Sequence, residues 1–136
     1  MDLKGKRLLL IGGAGFIGSH TVDELLKEDA SEIRVFDNMT RGSVGNLTDA
    51  LKDSRVNIFS LGGELMERDI LDAAMKDIHG VFHFAALWLL HCWEYPRSAF
   101  DVNIGGTFNV LEAILNNGVA RLVCSSSASV YGDAIE

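Results

Sequence analysis

Several residue types and patterns are scarce in this chain, and each scarcity excludes a class of protein. Only two cysteines, Cys92 and Cys124, occur in 136 residues, too few for a disulfide framework, which fits a reducing cytosol. No stretch approaches the length of a membrane span, and residues 1–6 do not read as a signal peptide. Lysine and arginine total 12 against 19 acidic residues, a net charge of −7. This balance argues against nucleic acid and an anionic membrane as partners, so the composition predicts a cytoplasmic protein.

Other absences concern motifs. No Gly-Lys-Ser/Thr follows the glycine-rich turn, which excludes a nucleoside-triphosphate loop. No internal repeat or low-complexity tract appears, and the length suits one domain, which we take as residues 1–136. Three histidines and a cysteine could suggest a metal (His79, His83, His91, Cys92). They fall before, within and beyond one strand, so we expect no metal site.

The chain does contain a glycine turn between a strand and a helix. The apolar run 7–11 reads as a buried parallel strand, and residues 17–26 have apolar residues at helical spacing. Between them lie Gly12, Gly15 and Gly18. Gly12 suits the tight turn, Gly15 the close approach of a pyrophosphate, and Gly18 the packing of helix on strand. The helix N-terminus would supply N–H groups and a positive dipole to that pyrophosphate.

An acidic residue completes this pattern. Residues 33–36 read as the second strand, and Asp37 follows Gly18 by 19 residues, close to the ~20 typical of dinucleotide-binding domains. A carboxylate there accepts hydrogen bonds from an adenosine ribose and repels a 2′-phosphate. The stretch therefore predicts a dinucleotide site that prefers NAD to NADP.

The remaining strands are predicted at 56–61, 80–84 and 121–124, with helices between most strands. This alternation predicts an α/β fold with a doubly wound, Rossmann-type parallel sheet of five strands. Cys124 is predicted to be buried in the last strand. Pro96 is placed in the first turn of a long helix that ends near Asn117 before Gly118.

That long helix carries an apolar stripe at helical spacing (Phe100, Ile104, Phe108, Leu111, Leu115). Gly105 and Gly106 in its middle suggest close packing against the sheet or a ligand. Asn103, beside these glycines, is expected to hydrogen-bond a neighbouring loop backbone rather than touch substrate. His83 is expected to be a hydrogen-bonded core histidine.

Several motifs together resemble the extended short-chain dehydrogenases/reductases, specifically the NAD-dependent nucleotide-sugar epimerases and dehydratases of the UDP-galactose 4-epimerase type. The motifs are GGAGFIGSH at 12–20, Asp37-Asn38, Asp69-Ile70, FHFAA at 82–86, Asp101-Val102-Asn103 with Gly106-Thr107, and SSSASVYG at 125–132. They occur in family order and spacing over nearly the whole chain.

The resemblance implies a role for each matched residue. The backbones of Phe16 and Ile17 would meet the pyrophosphate, and Asp37 and Asn38 would hold the adenosine ribose. The other implied cofactor contacts are Asp69 and Ile70 beside adenine, Phe84, Ala85 and Ala86 on the nicotinamide side, and Asn103 and Ser125 near the cofactor. Ser127 matches the hydroxyl that hydrogen-bonds the sugar hydroxyl being oxidised. The implied chemistry is transient hydride transfer between a nucleotide-sugar and NAD, in a homodimer.

The chain departs from the family in two respects. The Tyr-x-x-x-Lys pair, whose tyrosine is the family's base, does not occur, since no lysine follows Tyr95 or Tyr131 by four residues. We therefore expect these residues to be the N-terminal part of a longer enzyme, with the substrate domain outside them. Residues 87–93 form an unusually apolar loop, which leaves the sugar undetermined. Two alternatives stay open: an NADP-linked carbonyl reductase, supported only by Arg41, and a non-catalytic NAD(P)-binding regulatory module.

Overall fold

Five parallel strands form the centre of the fold in the computed structural model, which describes residues 2–132. The strands are β1 (Arg7–Ile11), β2 (Glu32–Phe36), β3 (Val56–Ile58), β4 (Gly80–His83) and β5 (Arg121–Cys124). They lie in the order β3-β2-β1-β4-β5, and every pairing is parallel. The predicted doubly wound, Rossmann-type sheet is confirmed.

Helices connect these strands on both faces of the sheet. They are α1 (Phe16–Lys27), α2 (Arg68–Ala74), α3 (Leu89–Glu94), α4 (Pro96–Ala99) and α5 (Thr107–Asn117), with a π-helical segment, Phe100–Gly106, between the last two. Short 3₁₀ turns cover Val44–Leu47, Ala50–Lys52 and Ala128–Tyr131. Within residues 2–132, every helix is too short or too polar to cross a lipid bilayer.

The core has two layers, and β1 contributes to both. Leu9 and Ile11 belong to a cluster that includes residues of α2 and α5, while Leu8 and Leu10 pack with residues of α1 and β2 on the other face. Because both faces of a central parallel strand are covered, Leu8–Ile11 are all buried, which explains the uninterrupted apolar run.

Two strands are shorter than predicted, and one predicted loop contains a helix. β3 ends at Ile58 rather than at Leu61, whose side chain is 65% exposed, and β4 ends at His83 rather than Phe84. The apolar residues 87–95, predicted as a loop, include α3. No residue of α3 is buried, so its apolar side chains line the surface rather than the core.

The predicted burial of Cys124 is wrong. Cys124 is exposed, because β5 is at the edge of the sheet that residues 2–132 form, and most of its residues are exposed there. The strand itself has the predicted bounds.

The long helix from Pro96 to Asn117 is present as three consecutive segments, and Gly118, with φ of 63°, ends it as predicted. Gly106 packs closely against Leu65, a residue of a cleft wall, rather than against the sheet. A Cβ at Gly106 would lie 3.0 Å from the Cβ of Leu65, and one at Gly105 would lie 3.8 Å from the Cε of Met66. The helix thus needs a small residue at Gly106, where the segment before α2 crosses it, whereas the contact at Gly105 is an ordinary van der Waals distance.

Candidate functional site

A cleft of about 550 Å³ opens at the carboxyl ends of β1, β2 and β4. This is the edge at which open parallel sheets bind their ligands. Ten residues predicted from the sequence line it: Gly12, Gly15, Phe16, Ile17, Gly18, Asp37, Asn38, Phe84, Ala85 and Ala86.

The three glycines of the turn have different structural roles. Gly12 has φ of +79°, and a Cβ there would lie 2.7 Å from the amide nitrogen of Ala85. A Cβ at Gly18 would overlap the carbonyl oxygen of Gly12, whereas one at Gly15 would lie 3.3 Å from that oxygen. Gly12 and Gly18 are therefore required by the fold itself. Gly15, the residue before the first turn of α1, leaves open a cradle that a side chain would fill.

This cradle fits a pyrophosphate. Phe16 and Ile17 begin α1, line the cleft and have largely exposed side chains. The first N–H groups of a helix have no intrahelical acceptor, and the helix dipole is positive at this end. The 12-residue α1 thus presents backbone donors where a diphosphate would lie.

Asp37 is fixed in place at the end of β2. Its Oδ2 accepts a hydrogen bond from the Ala14 amide, and its Oδ1 accepts one from the Met39 amide, both at 2.9 Å. Gly42 lies against the carboxylate, and a Cβ there would be 2.8 Å from Asp37 Oδ1. The carboxylate is therefore held beside the glycine turn, as a ribose-binding residue requires.

Asn38 and the segment after β3 form the adjoining wall. Asn38 Nδ2 donates to Glu64 Oε2 at 2.9 Å, and Asn38 Oδ1 accepts from the Thr40 amide at 3.0 Å. The backbone at Gly63 crosses the residues after β2 so closely that a Cβ on Gly63 would overlap the Asp37 carbonyl. Three residues of this wall were not predicted from the sequence: Gly63, Glu64 and Leu65. The adjacent glycines at 62 and 63 were the one signal of a close backbone crossing here.

The end of β4 forms the opposite wall. Phe84, Ala85, Ala86 and Leu87 line the cleft, and the Phe84 and Ala85 amides both donate to the Ile11 carbonyl. These hydrogen bonds hold the wall next to the glycine turn, and the small side chains of Ala85 and Ala86 leave space for a ligand there.

His83 is a core residue, as predicted. Its Nε2 lies 3.1 Å from Thr107 Oγ1, and the residue is 2% exposed. Burial lowers the pKa of His83 below its usual value of 6.5, so the imidazole is neutral near pH 7.

Asn103 holds the loop after β4, as the sequence analysis expected. Its Oδ1 accepts from the Leu87 amide at 2.7 Å, and its Nδ2 donates to the Leu87 carbonyl at 3.0 Å. Because Leu87 lines the cleft and Asn103 does not, this contact shapes the wall from behind.

Four other predicted site residues lie outside the cleft lining. Asp69 is exposed in the first turn of α2, and Ile70 packs against the core. The Ser125 amide donates to the His83 carbonyl at 3.2 Å, and Ser127 Oγ accepts from the Ser129 amide at 3.1 Å. Ser127 thus caps a 3₁₀ turn in this structure. Cofactor and substrate roles for these four residues remain predictions.

The sheet order and the glycine turn define a Rossmann-type dinucleotide-binding domain. The chain belongs to the extended short-chain dehydrogenases/reductases, since residues 9–136 match the 3-beta hydroxysteroid dehydrogenase/isomerase family.

Similar proteins are named as enzymes of nucleotide-sugars. UDP-glucose 4-epimerase of Bacillus subtilis is 37% identical over 92% of this chain and 38% of its own length. The solved dTDP-glucose 4,6-dehydratase of Streptomyces venezuelae, with NAD bound, superposes with a TM-score of 0.88 and 31% identity. A UDP-glucose 4-epimerase structure from Stenotrophomonas maltophila, also with NAD, gives 0.84 and 30%. Both superpositions include 96% of this chain, but they include only 42% of the dehydratase structure and 40% of the epimerase structure.

Proposed function

We propose that this chain is the NAD-binding part of a nucleotide-sugar epimerase or dehydratase that acts by transient hydride transfer between sugar and NAD. The observation that carries the proposal is the Asp37 carboxylate, held by two backbone amides beside an open glycine cradle. The similar epimerases and dehydratases solved with NAD support the same conclusion.

Each wall of the cleft has a task in this proposal. NAD would supply the hydride acceptor. Gly15 and the N-terminus of α1 hold the pyrophosphate, and Asp37 accepts hydrogen bonds from the adenosine ribose. Phe84 and the alanines after it exclude water on the nicotinamide side. Ser127 would orient the sugar hydroxyl, with proton transfer by a Tyr-x-x-x-Lys pair outside these 136 residues.

The Asp37 carboxylate opposes the NADP-linked carbonyl reductase, because it lines the cleft and would repel a 2′-phosphate. Arg41 is the only residue that supports this alternative, and its guanidinium contacts the Trp88 ring. We also propose that the protein is cytoplasmic and forms a homodimer. Its substrate is a nucleotide-sugar, and neither nucleic acid nor a membrane is its partner. The exposed apolar stripe of the long helix supports the dimer.

The test uses the protein expressed from its full reading frame, beside the 136-residue chain. We expect NAD, rather than NADP, on extraction of the purified protein, and turnover of UDP- or dTDP-hexoses by the full-length form. The 136-residue chain should lose this turnover, because a missing general base typically costs ~10²–10⁴-fold. Bound NAD without turnover of any sugar nucleotide would favour the regulatory module, and bound NADP would overturn the proposal.

A further inference from the structure

Two loops on opposite sides of the glycine turn meet through a pair of side chains. Arg41 lies in the loop after β2, and Trp88 lies in the loop after β4. Because β1 lies between β2 and β4, a contact between these loops crosses the space in front of the turn after β1. The guanidinium carbon of Arg41 is 4.2 Å from the centroid of the Trp88 ring, within the range of a cation–π contact.

This contact is closer than the other arginine–aromatic pairs of residues 2–132. The corresponding distances are 6.0 Å for Arg34 over Phe59 and 5.9 Å for Arg97 over Phe100. Two further rings adjoin Trp88: the centroid of His91 lies 5.0 Å from that of Trp88, and the centroid of Tyr95 lies 5.0 Å from that of His91. These tilted rings run from Trp88, next to the cleft-lining Leu87, along α3 to Tyr95.

Among residues 2–132, Arg41 is a cation with no acidic partner. Among the described residues that line the cleft, Arg41 is the only lysine or arginine, and Asp37 and Glu64 are the acidic ones. Arg41 takes part in none of the salt bridges found in residues 2–132. A guanidinium carries planar N–H donors that match phosphate oxygens. The cleft therefore has one cation at its mouth, with donors available to an anionic ligand.

We propose that Arg41 and Trp88 form a clasp across the mouth of the cleft, which closes over the diphosphate of a bound dinucleotide and slows its release. This inference rests on the proposed NAD-binding function. Arg41 donates to the diphosphate rather than to a 2′-phosphate, and Trp88 holds the guanidinium in place. The clasp must open for the dinucleotide to leave.

The clasp is tested by measuring dissociation of NADH from the full-length protein, with excess NAD as displacer and nicotinamide fluorescence as readout. The variants are Arg41→Met and Trp88→Leu. Both side chains are exposed, so the fold should tolerate the changes, and melting temperatures verify this. Matched controls are Arg97→Met, from an arginine–aromatic pair outside the cleft, and Trp93→Leu, whose side chain is 89% exposed.

We expect each clasp variant to release NADH roughly two- to thirtyfold faster, the range that cation–π contacts of exposed to desolvated sites imply. The controls should change release by less than twofold. Arg41→Met should also weaken the binding of NAD and the binding of NADP to the same degree, because both dinucleotides carry the diphosphate. Unchanged release in folded variants, or a loss confined to NADP, would overturn the clasp while leaving the proposed function standing. Failure of the wild-type protein to bind either dinucleotide would overturn both.

Discussion

At the scale of single residues, the glycines of the turn have two different roles: one kind is required for folding, and the other is required for ligand binding. Gly18 has no space for a side chain, since a Cβ would overlap the Gly12 carbonyl, while Gly15 faces the open cradle. A sequence shows the same residue type at both positions. Only the surrounding atoms show which glycine the protein needs in order to fold.

The first prediction follows from this difference. Gly15→Val should abolish NAD binding, because its methyl groups would occupy the pyrophosphate space, while the free energy of unfolding falls by no more than ~1 kcal/mol. Gly18→Ala should lower stability by ~1–3 kcal/mol through overpacking. Calorimetric titration with NAD and urea unfolding of both variants provide the measurements. A Gly15→Val protein that binds NAD with near wild-type affinity would show that the cradle is not the pyrophosphate site.

The second prediction concerns cofactor preference. Asp37→Asn keeps the size of the side chain but removes the charge that repels a 2′-phosphate, so the preference for NAD over NADP should narrow. Loss of one acceptor to the Ala14 or Met39 amide should also lower stability by ~1–3 kcal/mol. Titration calorimetry with both dinucleotides measures the change.

The matched control is Asp23→Asn, another acidic residue, which is exposed on α1 and does not line the cleft. Its NAD/NADP ratio should equal that of the wild type. Tighter binding of NADP than of NAD by the wild-type protein would refute the ribose role of Asp37.

At the scale of elements, His83 joins β4 to the first residue of α5 through Thr107. Since burial lowers the pKa of His83 in the folded state, the unfolded chain takes up the proton at a higher pH than the native protein does. The resulting stability is fully present above pH ~6.5, the usual histidine pKa, and is lost as the pH falls toward the lower native pKa.

We therefore predict that the free energy of unfolding declines between pH 7 and pH 5, and that His83→Gln reduces this decline. Urea unfolding at several pH values measures both slopes. His20→Gln serves as the control, because His20 is exposed on α1 and should leave the slope unchanged. Identical slopes for wild type and His83→Gln would assign the pH dependence to other groups.

The elements also show what a sequence can and cannot predict. Local sequence features predicted three parts of the site correctly. The run 7–11 predicted the central strand, the glycine spacing predicted the turn, and Asp37 marked the end of β2, because each of these depends on residues close together in the chain. Gly63 and Glu64 escaped prediction because their role depends on a crossing of two segments far apart in the chain. The exposure of Cys124 escaped for the same reason, since edge position is a property of the sheet and not of a strand.

At the scale of the whole molecule, the apolar stripe of the long helix is only partly covered by residues 2–132. Phe100, Ile104, Phe108, Leu111 and Leu115 are 54%, 59%, 60%, 41% and 80% exposed. At 1.5 Å per residue, the stripe runs for about 22 Å, long enough for helix–helix packing. Contiguous apolar surfaces of this kind mark protein interfaces.

The last prediction tests whether a second copy of the protein contributes to covering this stripe. Phe108→Glu should shift the full-length protein from dimer toward monomer, because it would place an unpaired charge in an apolar interface. Sedimentation at micromolar concentration measures the shift. Leu61→Glu is the control, since Leu61 is 65% exposed but lies after β3 and not on the apolar stripe, and it should leave the dimer intact. NAD binding should survive in Phe108→Glu, as Phe108 does not line the cleft. A wild-type protein that sediments as a monomer at micromolar concentration would contradict the proposed dimer.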